Sequence, residues 1–157
     1  MTTKDKRKDN LFFVLNSDVI CQYPMSEMIQ FHLSHPGRAT ILVTEVEDPS
    51  RFGIVVHDEK TLKVSQFVEK PKDYIGSFIN AGMYIFDLNI IRDIELKNVS
   101  LEKEIFPRLA DNGDLFVHRL KGFWKDIGLP HDFLTATQIL LSHLHKSNIK
   151  IDDFNLI

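Results

Sequence analysis

Four short stretches of the chain combine residue types that can hold a cation or a ligand, and none of them decides function singly. Asp18 closes Asn16-Ser17-Asp18, directly after the apolar run Leu11-Phe12-Phe13-Val14-Leu15. A carboxylate just past the carboxyl end of a buried strand stands where open α/β sheets place ligands, and it can hold a hard cation such as Mg²⁺. The same three residues serve equally well as turn and cap residues. Glu69-Lys70-Pro71 sets an anion beside a cation at the end of another strand, where the proline breaks the ladder. Taken alone, a solvated charge pair is the commoner meaning. In Asn80-Ala81-Gly82 the glycine lets a ligand approach the backbone, and the amide offers two donors and an acceptor to hydroxyls. A β-bulge explains that glycine as well. Finally, Trp124-Lys125-Asp126-Ile127-Gly128 joins a carboxylate to a large apolar surface, with Gly128 reading as ordinary punctuation before a helix.

Other chemistries find less support. No two glycines are separated by one residue, so neither a G-x-G-x-x-G turn nor a Walker A loop is present to cradle a triphosphate. No D-x-D pair occurs either. His143 and His145 stand i, i+2 on a predicted helix and do not share a face, and His32 with His35 reads as incidental. Cys21 is the single cysteine. It reads as a buried structural thiol, which fits a reducing compartment. The 157 residues carry 19 Lys+Arg against 22 Asp+Glu, a net charge of −3, which disfavours a basic nucleic-acid-binding module. Hydrophobic residues at 43% and charged residues at 26% are a globular balance, enough for one domain with a real core. No apolar run approaches the roughly 20 residues of a membrane span, and Met1 to Asn10 lacks the apolar stretch of a secretory signal, so a cytoplasmic protein is expected.

The elements that must position these residues follow from periodicity. Leu11 to Leu15, apolar without alternation, reads as a strand buried on both faces and hence part of a parallel sheet. Met25, Met28, Ile29, His32 and Leu33 keep helical spacing and stop near His35-Pro36-Gly37. Ala39 to Val46 is the next strand. Phe52 to His57 and Leu62 to Val68 flank Asp58-Glu59-Lys60-Thr61 as an antiparallel hairpin, so the sheet is predicted to be mixed. A loop from Pro71 to Phe78 precedes a strand over Ala81 to Phe86, with Asn80-Ala81-Gly82 at its entrance. Ser100 caps a helix through about Ala110, Asn112-Gly113 turns the chain, and Leu115 to Leu120 is another strand. Pro130 opens a last helix to about Lys146, with Phe133, Leu134, Thr137, Leu140, Leu141 and Leu144 on its apolar stripe. A polar segment over 1–10, a domain over 11–147 and a tail over 148–157 complete the organisation.

Six motifs taken in order resemble one family. They are Phe12 to Cys21, Phe52 to Val56, Phe67-Val68-Glu69-Lys70-Pro71, Asn80 to Ile85, Glu102-Lys103-Glu104-Ile105-Phe106-Pro107 and Gly122 to Gly128. Together they resemble the sugar-nucleotide pyrophosphorylases, and among these the mannose-1-phosphate guanylyltransferases, over roughly Asp9 to Lys146. The resemblance implies a nucleotidyltransferase: GTP and mannose 1-phosphate give GDP-mannose and pyrophosphate, with Mg²⁺ as cofactor. In such transfers the barrier falls through alignment of two anions and neutralisation of charge. It further implies that Asp18 and Asp126 hold Mg²⁺ and that Lys70 neutralises the sugar phosphate. Glu69 and Asn80 would bind the sugar, with Gly53 and Gly82 letting it lie against the backbone.

Family members open with a strand and a glycine-rich loop of the form G-G-x-G-T-R-L-x-P that binds the base and triphosphate, and many end in a left-handed β-helix. Neither is found in this sequence. The implied fold is therefore α/β, an incomplete doubly wound, Rossmann-like mixed sheet with flanking helices and a hairpin insertion, forming the sugar-binding half of a nucleotidyltransferase domain. The implied ligands are a sugar 1-phosphate and a nucleoside triphosphate or nucleotide sugar. An alternative is a non-catalytic subunit that senses a sugar phosphate or nucleotide sugar. Without the preceding strands, Leu11 to Leu15 should be an open sheet edge that self-associates or takes a strand from a partner chain.

Overall fold

A computed structural model describes residues 10–146 of the chain, so the segment before Asn10 and the tail over 148–157 lie outside the described residues. In chain order the elements are β1 (Leu11–Leu15), β2 (Val19–Cys21), α1 (Met25–His32), β3 (Ala39–Glu45), β4 (Gly53–His57), β5 (Val64–Glu69) and β6 (Phe78–Asp87). A 3₁₀ helix (Leu88–Asp93), a π-helical turn (Leu101–Ile105), α2 (Phe106–Asn112), β7 (Leu115–Arg119), β8 (Trp124–Asp126) and α3 (Pro130–Lys146) follow. They fall into two compact units, one formed by residues 10–16 and 24–120, the other by 17–23 and 121–146.

The larger unit is built around β6. Its ten residues pair antiparallel with β3 along one side, and with β1 and one residue of β4 on the other. β3 in turn pairs parallel with β7. The sheet is mixed, as the hairpin spacing requires, but β1 corrects the reading of its own run. It is half-buried rather than buried on both faces, and its neighbour is antiparallel. An unbroken apolar run marks burial without revealing strand direction. The Asn16 N–H donates to the Gly82 carbonyl and the Leu88 N–H to the Asn10 carbonyl, so the even-numbered residues face β6. The N–H and C=O groups of Leu11, Phe13 and Leu15 point the other way, and among the described residues no strand pairs with that edge.

β4 and β5 form the expected hairpin, with Gly53 opposite Glu69. Its far end folds back onto β7, where the Val117 N–H donates to the Leu62 carbonyl at 2.8 Å and Lys63 bridges Phe116. Aromatic rings fill the space beneath the sheet. Phe106 lies 4.9 Å from Tyr84 and 5.1 Å from Phe67 between ring centroids, and all three are buried. Each such pair contributes about 0.5–1.5 kcal/mol beyond its buried area. Ser100 caps the helical segment as expected, its Oγ accepting from the Lys103 N–H while the Glu104 carboxylate accepts from the Ser100 N–H. Such a cap is worth about 1 kcal/mol. Gly113 closes α2 with φ +74°, the left-handed conformation that glycine adopts without penalty.

The two histidines read as incidental form part of the buried structure instead. The Gly37 N–H donates to His35 Nδ1, leaving Nε2 to donate to Thr40 Oγ1 at 2.9 Å. Thr40 Oγ1 lies 2.8 Å from His32 Nδ1, and His32 Nε2 lies 3.3 Å from Asp87 Oδ1. The loop expected to run to Phe78 ends earlier, since β6 begins there, and Asn80-Ala81-Gly82 sits inside the strand rather than at its entrance. The register against β3 shifts between Ile41 and Val43, so the bulge reading of Gly82 holds.

The smaller unit is an antiparallel ribbon of β2 and β8 with α3. Val19 faces Asp126, Ile20 faces Lys125 and Cys21 faces Trp124. Helix α3 has the expected bounds but not the expected inner face: Asp132 and Ala136 are buried, whereas Phe133, Leu134 and Leu141 are exposed. Lys125 on β8 draws Asp132 inward, its Nζ lying 2.9 Å from Asp132 Oδ1. Hydrophobic periodicity cannot register an ion pair of that kind.

Candidate functional site

Five of the sequence-predicted residues lie in the larger unit. Glu69 ends β5, and Lys70 follows with φ +47°, a left-handed conformation that costs a non-glycine residue about 1–2 kcal/mol. The Lys70 N–H donates to the Phe52 carbonyl at 3.2 Å, which helps hold that turn. Lys70 Nζ lies 3.7 Å from Glu69 Oε1, and the lysine side chain is 66% exposed. The ammonium is thus tethered on one side by a carboxylate and open to an anion on the other. A Cβ on Gly53 would meet Glu69 Oε2 and the Phe67 ring, each at 2.8 Å. The space above Gly53 is therefore taken by the Glu69 carboxylate, and a ligand meets Gly53 only through its backbone.

Asn80 is held at both ends of its amide. Its Oδ1 accepts from the Gly82 N–H at 2.9 Å and its Nδ2 donates to the Tyr84 hydroxyl at 2.8 Å. One amide N–H and one lone pair remain to meet a polyol. Gly82 sits at φ +76°, which any side chain would strain. Tyr84 is fully buried, and burial pushes its hydroxyl far above the ordinary phenol range. Hydrogen bonds to Asn80 and Asn16 oppose the shift, while the Glu102 and Glu69 carboxylates add to it. Tyr84 thus stays protonated and keeps Asn80 in one orientation. Sequence reasoning missed Tyr84, Asn16 and Glu102. A signal existed for Tyr84, because Asn80, Gly82 and Tyr84 follow the two-residue period of one strand face.

Asp18 and Asp126 lie together in the smaller unit. The Ile127 N–H donates to the Asp18 carbonyl at 2.8 Å, continuing the β2–β8 pairing to the point where both carboxylates emerge. A Cβ placed on Gly128 would stand 3.1 Å from Asp126 Oδ1 and 3.9 Å from Asp18 Oδ2. Both carboxylates therefore border one small open space that only a glycine leaves free. Two carboxylate donors suit Mg²⁺, which keeps several waters and takes one or two protein carboxylates with substrate phosphate oxygens. Among the described residues no group of three or more His, Cys, Asp or Glu could hold a metal. Nearby, burial raises the Cys21 thiol above its ordinary value against the pull of the Tyr23 N–H, as an inert structural thiol requires.

Known proteins resemble the chain in sequence and in fold. A rice protein (Oryza sativa subsp. japonica) named "Probable mannose-1-phosphate guanylyltransferase 1" is 53% identical over 135 residues, covering 86% of this chain and 37% of its own length. The mannose-1-phosphate guanyltransferase of Saccharomyces cerevisiae is 49% identical over 146 residues, covering 92% of this chain and 40% of its own. The chain thus spans about two-fifths of the length of these curated relatives. Among solved structures, a Bacillus anthracis protein described as a glucose-1-phosphate thymidylyltransferase superposes with a TM-score of 0.72 at 23% identity, over 86% of this chain and 56% of its own. That likeness concerns the fold. The family described as "Nucleotidyl transferase" matches residues 1–143, most of the chain, and the chain belongs to the nucleotidyl transferase family.

Proposed function

We propose that this chain provides the sugar-phosphate and metal-binding residues of a cytoplasmic mannose-1-phosphate guanylyltransferase. The observation that carries the reading is the convergence of Asp18 and Asp126 on the open side of Gly128. In the reaction, a phosphate oxygen of mannose 1-phosphate bonds to the α-phosphorus of GTP while the bond from that phosphorus to the bridging oxygen breaks, releasing pyrophosphate. Both reactants are anions, so most of the barrier is alignment and repulsion. The exposed Lys70 ammonium neutralises the sugar phosphate, and the left-handed backbone fixes its direction. Glu69 accepts hydrogen bonds from sugar hydroxyls, and Asn80 adds the free N–H and lone pair that Tyr84 and Gly82 leave to it. Asp18 and Asp126 would hold Mg²⁺, which would supply positive charge against the phosphates. Gly82 keeps the backbone approachable, and Gly53, having no side chain, leaves room for the Glu69 carboxylate.

Mannose 1-phosphate binding to the full chain, measured by calorimetry, should weaken about tenfold or more in Lys70→Ala, which removes a charge-assisted contact. Equal binding by wild type and variant would refute the role of Lys70. Pyrophosphate release from GTP, mannose 1-phosphate and Mg²⁺, with and without a polypeptide carrying a glycine-rich loop, tests catalysis. Faster turnover with another nucleotide or sugar phosphate would overturn the substrate assignment. The alternative reading is a non-catalytic sensor of the same sugar ligands. Sugar-phosphate binding without turnover in either mixture would select it. The outward edge of β1 is part of the proposal as a strand acceptor, for a second copy or a partner chain. Rapid amide exchange at Leu11, Phe13 and Leu15 in a concentration-independent monomer would speak against self-pairing there. No helix among the described residues is long and apolar enough to cross a membrane, which is compatible with the cytoplasmic placement.

A further inference from the structure

We infer that Gly128 is a positioning residue, which keeps the Asp18 and Asp126 carboxylates oriented toward, and open to, a divalent cation. This rests on the proposed metal-binding role of the pair. Three observations support it. The Gly128 N–H donates to Asp126 Oδ1 at 2.8 Å, so the backbone of residue 128 fixes one oxygen of the ligand. Outer hydrogen bonds of this kind orient metal ligands and commonly matter about 10- to 100-fold in affinity. Second, the space a Cβ would fill at Gly128 is the space that both carboxylates border, with Asp126 Oδ1 at 3.1 Å and Asp18 Oδ2 at 3.9 Å.

The third observation separates space from conformation. The left-handed glycines among the described residues are Gly82 and Gly113; Gly128 is not one of them, so alanine there keeps an ordinary backbone. What glycine leaves at 128 is therefore room beside Asp126 Oδ1, with Asp18 Oδ2 at ordinary contact distance from the same point. An alanine methyl would press on Asp126 Oδ1 more closely than nearly all real Cβ contacts, and the flexible carboxylate would yield by turning away from the Gly128 N–H. The cation would then face one aimed carboxylate and one displaced one.

The test is Mn²⁺ binding to the full chain, followed by electron paramagnetic resonance and by paramagnetic broadening of amide NMR signals, in wild type, Gly128→Ala, Asp18→Asn and Asp126→Asn. Gly128→Ala should weaken Mn²⁺ binding about tenfold or more while its circular dichroism and melting curve stay with wild type. In the wild type, the Gly128 amide should broaden together with those of Asp18 and Asp126, a measurement that needs no folded variant. Binding by Gly128→Ala within twofold of wild type, alongside loss in both asparagine variants, would overturn the inference and leave the metal pair standing. A Gly128 signal that survives Mn²⁺ levels erasing the Asp18 signal would overturn it as well. Wild-type binding indifferent to both asparagine variants would remove the metal pair itself, and with it the inference.

Discussion

The two clusters of polar residues are held in place by different means. Glu69, Lys70 and Asn80 stand on a sheet underlain by Tyr84, Phe106 and Phe67, all buried, and Asn80 is locked by two hydrogen bonds to its own strand. Asp18 and Asp126 emerge from a ribbon of two three-residue strands, stabilised by a few backbone bonds and the Lys125–Asp132 pair. A two-stranded ribbon has marginal stability of its own. The cluster on the sheet is therefore built for a fixed shape, whereas the carboxylate pair can open locally at modest cost.

The largest effect that could break this contrast is a cavity in the aromatic layer. Phe106→Ala should lower the stability of the larger unit by about 3–5 kcal/mol, read by urea unfolding. A loss below about 1 kcal/mol would mean that the ring layer is not what holds the sheet. Gly82→Ala comes next, at about 1–2 kcal/mol for a methyl at φ +76°. It should also weaken mannose 1-phosphate binding, because backbone movement that relieves the strain would shift the Gly82 N–H that orients Asn80; an unchanged binding isotherm would speak against that coupling.

Lys125→Ala sharpens the other half of the comparison. Removing the ammonium 2.9 Å from Asp132 should destabilise the ribbon by about 1 kcal/mol. Amide exchange should quicken at Val19–Cys21 and Trp124–Asp126 and stay unchanged along β6. Uniform acceleration across both units would show that they open as one.

The smallest effect is a pH slope in the larger unit. Arg119 Nε donates to His57 Nε2 at 3.2 Å, so the neutral ring carries its proton on Nδ1, a buried atom without a hydrogen-bond partner. Burial first, and the Arg119 charge second, lower the His57 pKa from its ordinary 6.5. Because the folded value lies below the unfolded one, the contribution is fully present above pH 6.5 and is lost as pH falls toward the lowered value. Melting temperatures between about pH 7.5 and about pH 5.5 should fall in wild type and flatten in His57→Gln. An identical slope in both would assign it to other groups.

Much of this was legible beforehand where local chemistry and tertiary context agree. β1, the β4–β5 hairpin, the Ser100 cap and the Gly113 turn each combine a pattern with a residue whose backbone or side chain demands that geometry. The ribbon was not legible, since three residues carry no measurable period and the partners of Val19 and Asp126 lie more than a hundred positions apart. For α3, the expected apolar stripe is largely exposed, and the side turned inward carries Ala136 and the ion-paired Asp132. Glu69, Lys70, Asn80, Asp18 and Asp126 stood out because charge and amide groups at strand ends are conspicuous. Tyr84 did not, because a tyrosine inside an apolar strand looks like packing until its hydroxyl is seen against Asn80. Gly128 looked like punctuation, and only the oxygens around it give it a second meaning.

The return of the β4–β5 hairpin onto β7 also sets an order of events during synthesis. Leu62 and Lys63 find their backbone partners in Phe116 and Val117, and β3 waits for the same strand. Closing such long stretches of chain is slow compared with forming the hairpin itself. A nascent polypeptide released before residue 117 clears the ribosome would hold the hairpin through the β4–β6 pairing alone, so its turn end should settle last, late in translation.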